Sequence, residues 1–147
     1  MERMWTSELG EHAGEHVRVA GWLHRLRRMG RLGFLVVRDG TGTAQVVVED
    51  PALLELLGGL ANESVLAVEG RAVAETQAPG GVEVREPVVE VLSAAAEPPF
   101  DLFRPVLHAQ LPTLLDHAAL SLRHARRRAL WTLAAASTEG FRAALRV

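Results

Sequence analysis

Residues 33–50 read GFLVVRDGTGTAQVVVED, two β-rich runs on either side of a glycine turn. FLVVRD and TAQVVVE are dense in branched aliphatics, and DGTG between them has hairpin chemistry. Side chains alternate faces along a strand. On the first run Leu35 and Val37 share one face, and Phe34, Val36 and Arg38 share the other. On the second, Ala44, Val46 and Val48 stand against Gln45, Val47 and Glu49. A loop of two or four residues places even positions of the first run opposite odd positions of the second. Phe34, Arg38 and Gln45 then share a face, whereas a three-residue bulged loop would shift that register. The remaining face is wholly aliphatic and is expected to line a barrel.

The flanking sequence extends this hairpin. HVRVAGWLHRLRR (16–28) alternates and reads as a long strand, turned by MGRLG. DPALLELLGG reads as a short helix, with Asp50 as N-cap, Pro51 at the first helical position and glycines at its end. SVLAVEGRAVAET and VEVREPVVEVLS flank QAPGG as a second hairpin, and Pro87 predicts an edge or a bulge in the last strand. Three strands, a short helix and two strands in about ninety residues give the element order of an OB-fold, a five-stranded, partly open barrel. The expected class is therefore mainly β, with this barrel over residues 1–93. After Ser93 a Pro-rich linker (94–120) leads to a helix starting near Ser121. Leu130, Leu133, Ala134, Ser137, Phe141 and Ala144 recur there at helical spacing. RHARRR places arginines at the helix start, against the macrodipole, which points to an outside anion or acidic surface.

Composition narrows the function classes. The chain has 147 residues and no cysteine, which excludes disulfides and thiolate metal sites. It lacks an apolar run of membrane-spanning length, and its charged start, MERMWTSELGEH, is unlike a signal peptide, so a cytoplasmic protein with no membrane partner is expected. All sixteen basic residues are arginine. Residues 16–38 hold six of them and no acid, whereas residues 51–100 hold eight acids and two arginines. A basic patch on a net charge of −2 predicts a local polyanion site.

The face of Phe34 suits unpaired nucleic acid. Phe34 offers a ring on which a base can stack, worth about 1–3 kcal/mol. Gln45 can read a base edge with both a donor and an acceptor, and the strand-one arginines, with Arg38, can hold phosphates. Alternation places Val82 and Val84 inside and Glu83 outside. A carboxylate there repels phosphate but accepts a base N–H, so it favours specificity over affinity. Against this stands the plainer reading that Phe34 covers an apolar patch and Glu83 is ordinary surface. His12 and His16 lack a third ligand and read as surface histidines. No phosphate cradle, zinc motif or nucleophile–base arrangement is visible.

VRVAGWLHRLRRMGRLGFLVVRDGTGTAQVVVED, PGGVEV and LPTLLDHAALSLRHARRRALWTLAAASTEGFRAAL together resemble the N-terminal region of class II aspartyl- and asparaginyl-tRNA synthetases. The archaeal-type aspartyl branch looks closest, and the resemblance runs from about Trp5 to the last residue. It implies a tRNA anticodon stem-loop as partner. Phe34 would stack on the central anticodon uridine, Gln45 and Glu83 would hydrogen-bond it, and Arg25, Arg27 and Arg28 would contact backbone. Residues 121–147 would then begin the catalytic domain, which the chain leaves before the motifs that hold ATP and the aminoacyl adenylate. By this reading the chain binds no cofactor, ATP and magnesium belong to the full-length family, and the chain alone is inactive. Ala118 departs from the family, which places arginine after the LDH string. Two other readings stand beside this one. One is a generic single-strand-binding OB protein. The other is a synthetase-like interaction module, docking or homodimerising through its C-terminal helix.

Overall fold

The computed structural model describes residues 2–146. Contacts divide the chain into two compact units, Met1–Pro98 and Pro99–Val147. The first contains all five strands: β1 (His16–Met29), β2 (Leu32–Arg38), β3 (Thr43–Val48), β4 (Val65–Ala74) and β5 (Val82–Ser93). They form a closed barrel in the order β1-β2-β3-β5-β4, with β1 and β4 pairing antiparallel. Closure at β3–β5 rests on a short parallel seam, Gln45 opposite Glu83 and Val46 opposite Val84.

The aliphatic alternation builds the interior. Leu35, Val37, Ala44, Val46 and Val48 are buried, together with Val17, Val19, Leu23, Leu66, Val68 and Val84. Each fully buried aliphatic of this size contributes roughly 1.5–3 kcal/mol relative to exposure. α1 (Pro51–Gly58) follows β3, its N-terminus capped by the Asp50 carboxylate, which accepts from the Ala52 amide at 2.9 Å. Leu54 and Leu57 of this helix join the barrel core.

The hairpin loop between β2 and β3 is four residues long, so the paired register is Phe34–Val47, Val36–Gln45 and Arg38–Thr43. Asp39 organises it. Its carboxylate accepts from the amides of Thr41 (2.7 Å), Gly42 (3.0 Å) and Thr6 (2.8 Å), and from the hydroxyls of Thr41 and Thr6. Burial alone raises the Asp39 pKa, but the hydrogen bonds from Thr6 and Thr41 outweigh it and hold the carboxyl below its ordinary 3.8. Thr6 belongs to a 3-10 segment, Thr6–His12, that the sequence pattern does not announce. The β4–β5 register slips between Glu69 and Arg71 of β4, which pair with Val88 and Arg85 of β5. Glu86 lies in this slip with φ +53°, and Pro87 beside it makes the expected bulge.

In the second unit Phe100 and Leu102 are buried, and the Phe100 ring meets His117 edge-on at 6.4 Å. α2 (Leu111–Asp116) and α3 (Ala118–Ser121) fall where the sequence predicts a linker. α4 spans Ala125–Ala144, four residues later than the predicted start. His124 is extended (φ −69°, ψ 129°) and donates Nε2–H to the Arg104 carbonyl at 2.9 Å, which sets the helix start behind it. Leu130, Leu133 and Phe141 of the predicted stripe are exposed. Among the described residues no helix is long and apolar enough to cross a membrane.

Candidate nucleic-acid interface

Four strands carry the face that Phe34 occupies. Phe34 lies on β2 between buried Gly33 and Leu35, so its half-buried ring stands on the outer side. Its cross-strand neighbours are Arg27 on β1 and Val47 on β3. Gln45 lies two residues before Val47, on the same face and diagonal to Phe34. Such neighbours stand about 7–8 Å apart. Across the seam Gln45 pairs with Glu83 of β5. Phe34, Gln45 and Glu83 therefore form one row across β2, β3 and β5.

Gln45 and Glu83 are more enclosed than an open sheet face would leave them, at 8% and 3% exposure. A buried carboxylate needs partners. Gln45 Nε2 donates to Glu83 Oε2 at 3.0 Å. Arg85 Nε donates to Oε1 at 2.8 Å, and the NH2 of the same guanidinium lies 2.8 Å from that oxygen as an ion pair. An ionised carboxylate offers about four lone-pair sites. Arg85 Nε fills one on Oε1, with its NH2 close against the same oxygen, and Gln45 fills one on Oε2. One acceptor site on Oε2 remains, beside the second N–H and the carbonyl oxygen of Gln45. Because a carboxylate only accepts, this pairing also fixes which end of the Gln45 amide faces Glu83. The hydrogen bond to Glu83, followed by the charges of Glu83, Glu75 and Glu49, raises the Arg85 pKa above its ordinary value.

The arginines separate into different roles. Arg25 and Arg27 are exposed on β1, paired with Val36 and Phe34 on the outer face. Arg28 lies opposite Gly33, on the other side of the strand, and its guanidinium donates to the Leu54 carbonyl of α1. It ties the hairpin to the helix and sits away from the Phe34 row. Arg38 shares the outer face but not the expected availability. It is 9% exposed, with both Glu63 carboxylate oxygens 2.9 Å from NH2. NH1 donates to His24 Nδ1 at 2.9 Å, and the guanidinium stands 5.4 Å from the Trp22 ring centroid. Its place in a phosphate site is corrected to a buried ion pair. Alternation gave the right face, but the partner sits 25 residues away in the turn before β4. Arg85 was missed, although its place two residues after Glu83 puts it on the same face by period alone. Arg85 also lines a recess of about 310 Å³ with Val47, Leu53 and Pro87.

This geometry bears on family. Residues 17–92 match the model of the OB-fold nucleic acid binding domain family. The chain belongs to this family. The chain is similar to the aspartate--tRNA(Asp/Asn) ligase of Thermus thermophilus, with 39% identity over 144 residues, 95% of this chain and 32% of that protein. It is also similar to the asparagine--tRNA ligase of Pelotomaculum thermopropionicum, 40% identical over 69% of this chain and 25% of that one. Among solved structures, an asparaginyl-tRNA synthetase from Pyrococcus horikoshii complexed with asparaginyl-adenylate matches with a TM-score of 0.74. It is 35% identical over 84% of this chain and 29% of its own. An aspartyl-tRNA synthetase from Entamoeba histolytica matches 99% of this chain and 37% of its own with a TM-score of 0.85; at 20% identity it supports the fold alone. The chain thus spans about a third of the length of the curated aspartate relatives it matches.

Proposed function

We propose that the OB-fold domain binds a tRNA anticodon stem-loop and reads its central uridine. The observation that carries this is the Gln45–Glu83 pair, set on the same outer face as the Phe34 ring. A base lying over that ring directs its edge along the diagonal to Gln45 and Glu83. Uracil presents an N–H at N3 between two carbonyl oxygens. The unfilled site on Glu83 Oε2 accepts the N–H, and the second Gln45 N–H donates to a carbonyl. Cytosine turns a bare N3 lone pair toward the carboxylate, leaving an unsatisfied and repulsive contact in an enclosed site. Arg25 and Arg27 hold backbone phosphates beside the ring, a contribution that weakens with salt.

The names of the relatives support a larger reading, in which this domain docks tRNA for an aspartate- or asparagine-type ligase in the cytoplasm. In that reading ATP and magnesium belong to a catalytic domain outside these 147 residues. Fluorescence anisotropy with an anticodon stem-loop, carrying U or C at the central position, tests the proposal. Binding is expected to favour U by about tenfold or more, equivalent to roughly 1.4 kcal/mol. Equal affinity for the two loops would overturn base reading and leave a generic single-strand binder.

A further inference from the structure

Glu83 is 3% exposed and carries the acceptor on which base reading depends. Its charge and its orientation both have to be maintained where water scarcely reaches. Gln45 supplies one neutral donor at 3.0 Å, on Oε2. The only cation within ion-pair distance of Glu83 among the described residues is Arg85, held on Oε1 by Nε and NH2 at 2.8 Å each. Arg85 itself is half exposed and fully ionised. Its aliphatic stem follows the outer face from β5, where its backbone pairs with Arg71 of β4. A guanidinium in this place has two available roles. It can contact RNA phosphate, or it can position the carboxylate.

We infer that Arg85 is a positioning residue for base recognition: by filling Oε1 it directs the single free acceptor of Oε2 toward the face of Phe34. The inference rests on the reading of Glu83 as the uridine acceptor. A hydrogen bond from Nε and the ion-pair contact of NH2 on one oxygen resist rotation of the carboxylate about its terminal torsion, because rotation would give up both contacts together. They also leave the second oxygen as the sole outlet for further hydrogen bonding. Arg85 thereby acts on specificity through Glu83, whereas Arg25 and Arg27 act on affinity through phosphate.

A double-mutant cycle separates these roles. Wild type, Arg85→Met, Glu83→Gln and the double variant are titrated with the U and C stem-loops at two salt concentrations. Arg85→Met is expected to reduce the U-over-C preference by roughly five- to tenfold, leaving C-loop affinity and the salt dependence unchanged. In the Glu83→Gln background the same substitution is expected to change nothing, because its route of action has been removed. Arg85→Lys, which keeps the charge and one donor, is expected to retain an intermediate preference, and it serves as the readout should the Met variant not fold. Additive effects of the two substitutions overturn the inference. So does equal weakening for both loops with a salt slope lowered by about one phosphate contact, and so does an Arg85→Lys variant with unaltered preference. Wild-type protein without U preference brings down base reading and this inference together, whereas preference retained in Arg85→Met sinks this inference alone.

Discussion

Phe34 and Arg38 stand on the same strand and the same face, yet their surroundings differ. Phe34 has a half-buried ring, whereas Arg38 is enclosed by Glu63, His24 and Trp22. Removing one partner of a buried ion pair strands the other charge, at a cost of about 3–5 kcal/mol. Arg38→Met is therefore expected to lower unfolding free energy by that order in urea titration, without changing the salt slope of RNA binding. Phe34→Ala is expected to do the reverse, keeping stability within about 1 kcal/mol while weakening stem-loop affinity by about 1–3 kcal/mol. A Phe34→Ala protein that binds RNA as well as wild type would contradict the stacking role. At this scale the faces of Phe34 and Arg38 are legible, because alternation needs only local backbone, whereas the bulge between Leu23 and Arg25 breaks that alternation in β1. The partner of Arg38 is not. Glu63 reaches Arg38 from a turn where its own φ is +71°, and no local pattern announces that meeting.

Elements were legible where pattern and turn chemistry agree. The five strands and α1 lie within a few residues of their expected bounds, since aliphatic alternation, the DGTG and PGG turns and the Asp50–Pro51 start all act locally. The Thr6–His12 segment was not anticipated because it has no periodicity of its own; it is held by a long-range bond to Asp39. The pH behaviour of that junction stems from the depressed Asp39 pKa. Protons bind the unfolded carboxyl more readily than the folded one, so this contribution is complete above the ordinary 3.8 and is lost as pH falls through the lower folded value. Urea midpoints measured from about pH 6 down to about pH 2 are expected to fall more steeply for wild type than for Asp39→Asn in the acid part of the range. Parallel curves would exclude Asp39 as a source. The β5 bulge is equally constrained. A Cβ on Gly70 would come within 2.6 Å of the Arg85 carbonyl and of Val84 Cγ1. Gly70→Ala is expected to cost about 1–3 kcal/mol through overpacking, read as a lowered Tm, and an unchanged Tm would show that the bulge yields freely.

For the molecule as a whole, the core cluster lies within the first compact unit. Residues 1–98 alone are therefore expected to unfold in one cooperative transition, with a urea midpoint close to that of the same unit in the full chain. A fragment with a broad, non-cooperative transition would show that the barrel depends on residues 99–147. The outer face of that barrel carrying Phe34, Gln45 and Glu83 can be addressed directly by NMR. Titrating the labelled full chain with a central-U stem-loop is expected to shift the Gln45 side-chain amide and the Phe34 ring resonances together, with smaller changes from the central-C loop. Shifts confined to the arginines of β1, with those of Gln45 and Phe34 unmoved, would contradict the account.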